Sequence, residues 1–405
     1  MTYPTISPSL TLDFAKSKQL DPRIAFTRSS TGTYLDAAIG LIKTAPSGVA
    51  RFEKEGLLTE ESRTNLVRTS TPTGSGLSNG WSQRANTTIT TNADVAPDGT
   101  TTATSVVANL NSTDYAYTRH TLSSATTANC VVSAFAKPIN NFPRTVIQVS
   151  NSGGGSIVWN FNFQTGVATL NFETGAASNF GSTAFMEPLD NGWYRVGFTA
   201  PSGTSNITVN ARETWSGSQP AGDGVSGVLW WGCQIEEGSF QTSFIPTSGS
   251  TVTRAADVTS ISNAEMLKVV NLEGNACLMT THWNTFGANK EYFFLDSTGY
   301  LQARQWRATK MRAGGINATG YTPITGQETY NTVFQSRDGN TVSVGNNAGC
   351  FASGTQSVTL PGTGTFQFGK FSNSQLKQVI SRIVYYPQTL TQAELETTSE
   401  AMTSA

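Results

Sequence analysis

The sequence predicts an all-β protein: two antiparallel β-sandwiches preceded by a short irregular N-terminal segment. Charged residues make up only 13% of the 405 residues, whereas aromatic residues reach 10% and the chain contains 38 glycines. Aromatic and β-branched side chains suit the pleated surface of a sheet, and glycine and asparagine suit the turns between short strands. A disordered chain has few aromatic residues and many charges. The length exceeds that of one ordinary domain, so we expect two or three.

Residues 1–66 are predicted to form a segment without a core of its own. Turn-forming clusters alternate there with very short apolar runs, such as residues 10–14 and 40–42. A segment of this length hardly buries enough apolar surface to fold alone. We expect it to pack on a neighbouring domain or on another subunit. It would serve for attachment or oligomerisation, or it would be an irregular extension.

Residues 67–258 are predicted to form the first sandwich. Strand-like runs recur there at short intervals, separated by turn signals such as Pro-Asp-Gly at 97–99 and Asp-Asn-Gly at 190–192. Apolar and polar residues alternate in Trp-Asn-Phe-Asn-Phe at 159–163, as in a strand with one face in a core. The opening, Asn-Gly-Trp at 79–81 and then Ala-Pro-Asp-Gly-Thr at 96–100, resembles the start of jelly-roll carbohydrate-binding modules.

Residues 259–405 are predicted to form the second domain. In it, a connector with a short helix around 263–269 precedes the second sandwich. Residues 332–344 read as two strands joined by an Asp-Gly-Asn turn, which indicates a hairpin. The closing run, 378–395, resembles the last strands of concanavalin A-like (laminin G-like) sandwiches. Thr391 and Glu394 in that run have the spacing of a helix-capping box.

Two groups of motifs suggest a family. The first comprises Leu-Asp-Phe at 12–14, Asp-Pro-Arg-Ile-Ala-Phe-Thr-Arg-Ser-Ser at 21–30 and Glu-Gly-Leu-Leu-Thr-Glu-Glu-Ser-Arg-Thr-Asn-Leu-Val at 55–67. The second begins with Gln-Ile-Glu-Glu-Gly at 234–238 and ends with Val-Thr-Arg-Ala-Ala-Asp at 252–257. Together they resemble tailed-bacteriophage virion surface proteins of the tail-fibre, tail-spike or head-fibre type. The resemblance implies attachment to other virion proteins through the N-terminal segment, and a homotrimer.

Composition excludes several classes of partner. The chain has 26 basic and 27 acidic residues, a net charge of −1, and no long basic run, so a nucleic-acid partner is not expected. No window approaches about 18 uninterrupted apolar residues, which argues against membrane insertion. The N-terminus lacks the basic start and apolar run of a signal peptide. We therefore expect synthesis in the host cytoplasm, and the resemblance implies location on the virion.

No sequence pattern indicates catalysis, and we expect no enzyme. A glycosidase needs two carboxylates that face each other, but Glu236 and Glu237 are adjacent and would point to opposite faces of a strand. The four cysteines are far apart and the chain has two histidines, so no zinc site is expected. We expect no cofactor. Structural calcium stays open, because calcium held by backbone carbonyls and single Asp side chains leaves no sequence pattern.

Glycan binding is the function for which the sequence offers candidate residues. A sugar site needs an aromatic surface with polar groups that read hydroxyls. Trp215 lies in a polar loop, and Trp306 is flanked by Arg304 and Arg307, with Trp283 as a further candidate. Each of these could instead be a packing residue.

The sequence therefore predicts a non-enzymatic phage virion structural protein, a surface fibre or spike component that contacts host glycans. Two alternatives remain at this point. One is a purely structural capsid or neck decoration or connector protein without a ligand, because a fold does not fix a function. The other is a glycan depolymerase, which would need two carboxylates across a groove.

Overall fold

The computed structural model describes residues 5–72, 79–114, 116–211 and 220–269. Beyond these it describes separate stretches, which are 275–281, 303–307, 310–313, 316–319, 331–338, 341–346, 351–355, 365–368, 370–371, 374–375, 378–388, 390–391, 393–394 and 397–398. The predicted all-β class is confirmed. No helix among these residues is long and apolar enough to cross a membrane.

The strands are short and follow one another closely. The first ones are β1 (Leu10–Asp13), β2 (Ile24–Thr27), β3 (Gly32–Asp36), β4 (Leu41–Ala45), β5 (Arg51–Glu53), β6 (Gly56–Thr59) and β7 (Arg63–Asn65). The next are β8 (Trp81–Gln83), β9 (Thr87–Asp94), β10 (Ala103–Ala108), β11 (Ala116–Thr121), β12 (Cys130–Ile139), β13 (Arg144–Ser150), β14 (Ser156–Asn162), β15 (Val167–Glu173), β16 (Ala184–Pro188), β17 (Tyr194–Ala200), β18 (Asn206–Ala211), β19 (Gly227–Glu237) and β20 (Val252–Arg254). The last are β21 (Val258–Ser262), β22 (Asn275–Thr281), β23 (Ala303–Arg307), β24 (Lys310–Ala313), β25 (Ile316–Thr319), β26 (Asn331–Asp338), β27 (Thr341–Asn346), β28 (Phe351–Thr355), β29 (Thr365–Phe368), β30 (Lys370–Phe371), β31 (Ser374–Gln375) and β32 (Gln378–Tyr386).

Two one-turn α-helices, α1 (Phe14–Ser17) and α2 (Asn263–Met266), lie within the described residues. Each begins at a polar N-cap whose side chain accepts a backbone hydrogen bond: Asp13 Oδ1 from Lys16 N at 3.0 Å, and Ser262 Oγ from Glu265 N at 3.3 Å. Helix α2 lies where the sequence predicted a short helix. Single 3-10 turns occur at Gly175–Ala177 and Asp190–Gly192.

The chain divides into two compact units. One comprises residues 37–43 and 63–254, and the other comprises residues 1–36, 44–62 and 255–405. The sequence placed residues 1–66 in a segment of their own, whereas most of that segment shares a unit with the C-terminal residues. The proposed attachment role of the segment stays a prediction.

The first unit is a sandwich of two six-stranded antiparallel sheets, ordered β16-β17-β12-β19-β10-β9 and β15-β14-β13-β18-β11-β8. Eight of these strands, β10-β19-β12-β17 in one sheet and β11-β18-β13-β14 in the other, have the order of a jelly roll. The predicted first sandwich is therefore confirmed.

The core of this sandwich lies between the two sheets. Val132, Phe161, Phe198, Val209 and Trp230 are all fully buried there. Burial of each side chain of this kind contributes roughly 1.5–3 kcal/mol, so the layer accounts for much of the unit's stability. Cys130 and Cys233 are buried free thiols of the same layer.

Strand β32 organises the sheet of the second unit. It pairs with β22 on one side, and on its other side with β1 and β6 along different stretches. Leu12 lies opposite Ile383 and Leu58 opposite Val379, so N-terminal residues supply buried partners for a C-terminal strand. The sheet extends in the order β28-β27-β26-β22-β32-β6-β5, and β2-β21-β29 form a further sheet.

Two local predictions for the C-terminal residues are confirmed. Strands β26 and β27 form an antiparallel hairpin, with Asp338 opposite Thr341. Glu394 Oε2 accepts hydrogen bonds from the Thr391 N and Oγ1 atoms at 2.9 and 2.8 Å, and Thr391 Oγ1 accepts one from Glu394 N at 3.3 Å. This is the reciprocal geometry of a capping box. The assignment of these residues to the concanavalin A-like class stays a prediction.

Candidate functional site

The predicted glycan contacts lie at the limits of the described structure. Trp215 and Trp283 fall outside the described residues. Arg304, Trp306 and Arg307 lie in β23, for which the structure describes the course of the strand. The role of these five residues in glycan binding stays a prediction.

The two sheets of the jelly roll have different outer sides. The outer side of the sheet that contains β12 and β19 carries Phe135, Leu229 and Trp231, and these pack with Ile42 and Phe244 into a second apolar cluster. The Trp231 and Phe244 ring centroids are 4.5 Å apart. The unit's own residues therefore cover the part of this side around Phe135 and Trp231.

The outer side of the other sheet is polar. Ile147, Trp159 and Val209 belong to the core between the sheets. Side chains alternate along a strand, so the residues next to these three point outward. We call this side the polar face. Its polar and aromatic members are Arg84, Tyr117, Arg119, Arg144, Gln148, Asn160, Asn171, Thr208 and Asn210.

Strand register arranges these residues in rows across the sheet. One row runs through Tyr117, Asn210, Val146, Asn160 and Thr169. The next row runs through Arg119, Thr208, Gln148, Val158 and Phe172. Neighbouring strands lie about 4.8 Å apart, so four steps from β11 to β15 span roughly 19 Å. The polar face therefore has the length to contact an oligosaccharide rather than one sugar ring.

Tyr117 holds two guanidinium groups at one end of the polar face. The Cζ atoms of Arg119 and Arg84 lie 5.2 and 5.9 Å from its ring centroid, within the range of cation–π attraction. Arg119 Nε donates to Thr208 Oγ1 at 2.9 Å, and Arg84 Nε to Asp114 Oδ2 at 2.7 Å. These contacts fix both guanidinium groups.

Amide side chains occupy the other end. Asn160 Nδ2 donates to Asn171 Oδ1 at 2.6 Å, and Asn171 is the extra residue of an irregularity in the β14–β15 pairing. Among the described residues, Asn160 Oδ1 and Asn171 Nδ2 are buried and have no hydrogen-bond partner. An unsatisfied buried donor or acceptor costs about 1–3 kcal/mol, and such costs concentrate at functional sites.

The sequence contained one signal for this site. In the alternating run at 159–163, the tryptophan and phenylalanines marked the core face, and the asparagines Asn160 and Asn162 marked the opposite face. Asn210 and Gln148 alternate with core residues in the same way. The sequence prediction used tryptophans as the sign of a sugar site, whereas the polar face consists mainly of polar residues on strands.

A cavity of about 280 Å³ lies elsewhere in the same unit. Its lining includes Lys137, Asp190, Asn191 and Trp193. Trp193 is buried and donates from Nε1 to Val95 O at 3.2 Å, so it has a packing role. Ligand pockets are commonly about 300–1,000 Å³, which puts this cavity at the lower limit. The polar face is the stronger candidate site.

The adjacent carboxylates Glu236 and Glu237 are engaged in structural contacts. Glu236 is fully buried, and its carboxylate accepts hydrogen bonds from Thr242 N and Oγ1, both at 2.7 Å. Glu237 Oε1 accepts a hydrogen bond from Thr127 N at 2.5 Å. The hydrogen bonds to this carboxylate, chiefly that one, lower the pKa of Glu237. Within the described part of the chain, no three His, Cys, Asp or Glu side chains are grouped to hold a metal ion.

The residues of the family-like motifs lie inside the protein. In the second unit, Arg28 Nη1 contacts Asp257 Oδ1 at 3.0 Å, and Arg51 Nη1 contacts Glu60 Oε2 at 2.8 Å, all with fully buried side chains. Burial lowers the pKa of Arg51, but the charges of Glu60 and Asp257 outweigh it and leave the pKa raised. In the first unit, Asn65 bonds to four backbone groups. Arg28, Glu60, Asn65 and Asp257 of these motifs therefore have structural contacts inside the protein.

Comparison with known proteins yields distant structural similarity. No protein-family model matches the sequence, and no curated protein gives a significant match. The chain is similar to domain 4 of AbnA, a GH43 extracellular arabinanase from Geobacillus stearothermophilus in complex with arabinotriose, with 13% identity, 40% of this chain and 82% of that chain covered, and a TM-score of 0.29. It is also similar to Trypanosoma rangeli sialidase, with 9% identity, coverage of 94% and 77%, and a TM-score of 0.29. Similarities of this size do not bear on function.

Proposed function

We propose that this chain is a non-enzymatic structural protein on the surface of a tailed-phage virion, and that its jelly-roll unit contacts host glycans through the polar face. The virion assignment is supported by the motifs at 12–67 and 234–257, which resemble those of phage surface proteins. Under this proposal the chain joins other virion proteins through its N-terminal segment and forms a homotrimer.

The observation that supports glycan binding is the contrast between the two outer sides of the jelly roll. Ile42 and Phe244 pack against one of them, whereas the other carries partly exposed amide and guanidinium groups, among them Arg119, Gln148 and Asn160. Amides and guanidinium groups are donors and acceptors of the kind that read sugar hydroxyls. Each contact would be weak, and many copies on one particle would raise the overall affinity by avidity.

Glycan binding is tested on the purified full chain with an array of host-surface oligosaccharides. We expect binding that weakens in Gln148→Ala and in Asn160→Ala, while Gln164→Ala in an exposed turn serves as the matched control. Circular dichroism and thermal melting check that each variant is folded. If the folded protein binds no glycan on the array, the result would favour the decoration or connector alternative.

The virion assignment needs a separate test. Cryo-electron microscopy of intact particles should show density for this chain anchored through its N-terminal residues, with repeated copies around a symmetry axis. Density in which both units lie packed against other virion proteins would favour the connector alternative. Release of reducing ends from a bound polysaccharide would instead establish a depolymerase.

A further inference from the structure

The polar face is rich in arginine within a chain that is close to neutral. The whole chain has a net charge of −1. The six strands of this sheet contain two arginines, Arg119 and Arg144, and a single carboxylate, Glu173. Glu173 accepts hydrogen bonds from Gly181 N at 3.1 Å and Ser182 N at 2.6 Å, so its carboxylate is already hydrogen-bonded within the protein.

We propose that the ligand of the polar face is an acidic oligosaccharide that carries anionic groups on more than one sugar. This inference rests on the proposed function and names the class of glycan. Arg119 Nε donates to Thr208, and the contact of the guanidinium group with the Tyr117 ring fixes its plane. That leaves the two Nη atoms, with four of the five N–H donors, for a planar anion.

Arg119 and Arg144 are without a carboxylate partner among the described residues. Arg84, their neighbour, is different because it already pairs with Asp114 at 2.7 Å. A fixed guanidinium group without a counter-ion loses little conformational entropy when it binds an anion, and a bidentate pair with carboxylate, sulfate or phosphate is a strong hydrogen-bonded contact.

The spacing of the two arginines determines how the charges of the ligand must be distributed. Arg119 lies opposite Thr208, and Thr208 lies opposite Gln148, four residues along β13 from Arg144. With strands about 4.8 Å apart and a rise of about 3.3 Å per residue, the two Cα atoms are on the order of 16 Å apart. One anionic group cannot reach both. Asn210 lies between them in the register but is buried, and its Nδ2 atom donates to Val146 O at 3.1 Å, so the ligand contacts rest on the two arginines.

Oligosaccharides of matched length and different charge test this inference in titration calorimetry with the full chain. The probes are oligogalacturonate, which carries carboxylates, heparin oligosaccharide, which carries sulfates as well, and maltooligosaccharide, which is neutral. We expect either or both acidic probes to bind, with affinity that falls as sodium chloride rises from 0.05 to 0.5 M, because salt screens the contacts. Preference for one acidic probe identifies the anionic group.

Variants assign the binding to the two arginines. Arg119→Gln and Arg144→Gln should each lower affinity for the acidic probe about tenfold, because a hydrogen bond to a charged group contributes about 1.5–3 kcal/mol. Arg119→Lys should restore part of the loss, and Arg23→Gln, in the other unit, is the control. An affinity for the acidic probe that neither substitution changes overturns the inference. Equal binding of the neutral probe overturns it too, but leaves the proposed function standing, whereas absence of glycan binding overturns both.

Discussion

Arg51 and Asp257 form an ion pair between two fully buried side chains, although 206 positions separate them in the chain; the Arg51 Nη2 and Asp257 Oδ2 atoms are 2.5 Å apart. Asp257 also accepts from Arg28 Nη1 and from the backbone N of Glu60, the latter at 2.8 Å. The stretches 21–30, 55–67 and 252–257 therefore meet at the Asp257 carboxylate. Their sequence pattern is explained by a requirement of the fold.

Asp257→Asn should destabilise the unit that holds this cluster. The substitution keeps the shape of the side chain but removes the negative charge that pairs with Arg28 and Arg51, and breaking a buried pair costs about 3–5 kcal/mol. Urea unfolding followed by circular dichroism measures the loss. Asp21→Asn is the control, because the Asp21–Arg23 pair is partly exposed and such pairs contribute about 0–1 kcal/mol. Equal losses in the two variants would contradict a special role for the cluster.

His120 should make the jelly roll less stable in mild acid. Burial, aided by the charge of Arg68, lowers the pKa of His120 to about 4, and its Nε2 atom lies 3.1 Å from Asn79 O. In the unfolded chain a histidine pKa is about 6.5. The unfolded state therefore binds the proton first as the pH falls. Stability from neutral His120 is complete above about pH 6.5 and declines toward pH 4, by about 3 kcal/mol in total.

Comparison with His120→Gln isolates this effect from the titration of carboxylates. The free energy of unfolding is measured by urea denaturation at pH 7 and at pH 4.5 for both proteins. The decrease should be larger in the native protein than in the variant. If both lose the same amount, then another group is responsible for the pH dependence.

The fold was predictable because its signals are local. Turn sequences at short intervals and the alternation at 159–163 predicted the sandwich, and the spacing of Thr391 and Glu394 predicted the capping box. The pairing of β1 with β32 was not predictable, because Leu12 and Ile383 lie far apart in the chain and each is an ordinary strand residue.

The polar face was not predictable for a related reason. Tyr117, Gln148, Asn160 and Asn210 come from four strands, and each is unremarkable in its own segment. They share a face only in the observed register, and a shift of one residue would turn each to the opposite side. The predicted site relied on tryptophans, whose aromatic rings are conspicuous in sequence. Trp193, Trp230 and Trp231 are buried packing residues, whereas the roles of Trp215, Trp283 and Trp306 stay predictions.

Gly56→Ala should disrupt the contact between β6 and β32. Gly56 has φ +146°, and a Cβ atom there would lie 2.1 Å from Ile380 O, a backbone atom that cannot move alone. Gly48→Ala is a matched control, because Gly48 also has a positive φ, +74°, but open space around its Cβ position. Both variants carry backbone strain of about 1 kcal/mol or more. Thermal melting should show a clearly larger loss for Gly56→Ala, and equal losses would mean that the close approach is unimportant.

Asn65 offers a test of whether the motif at 55–67 encodes folding or assembly. Its Nδ2 atom donates to Cys233 O at 3.2 Å and to Ile245 O at 2.9 Å, and its Oδ1 atom accepts from Val67 N at 3.0 Å and from Ile235 N at 3.3 Å. Asn65→Ala leaves these buried backbone groups unpaired, so we expect a loss of at least about 2 kcal/mol in urea unfolding.

Thr64→Ala is the adjacent control, since the Thr64 hydroxyl lies on the exposed side, 2.7 Å from Thr253 Oγ1, and exposed substitutions usually change stability by less than about 0.5 kcal/mol. Both variants should also be measured for glycan binding and for oligomeric state by light scattering. A folding role predicts that Asn65→Ala lowers stability. The protein that stays folded should bind glycan and oligomerise as the native protein does. A variant of normal stability that no longer oligomerises would instead show that the motif is an assembly contact.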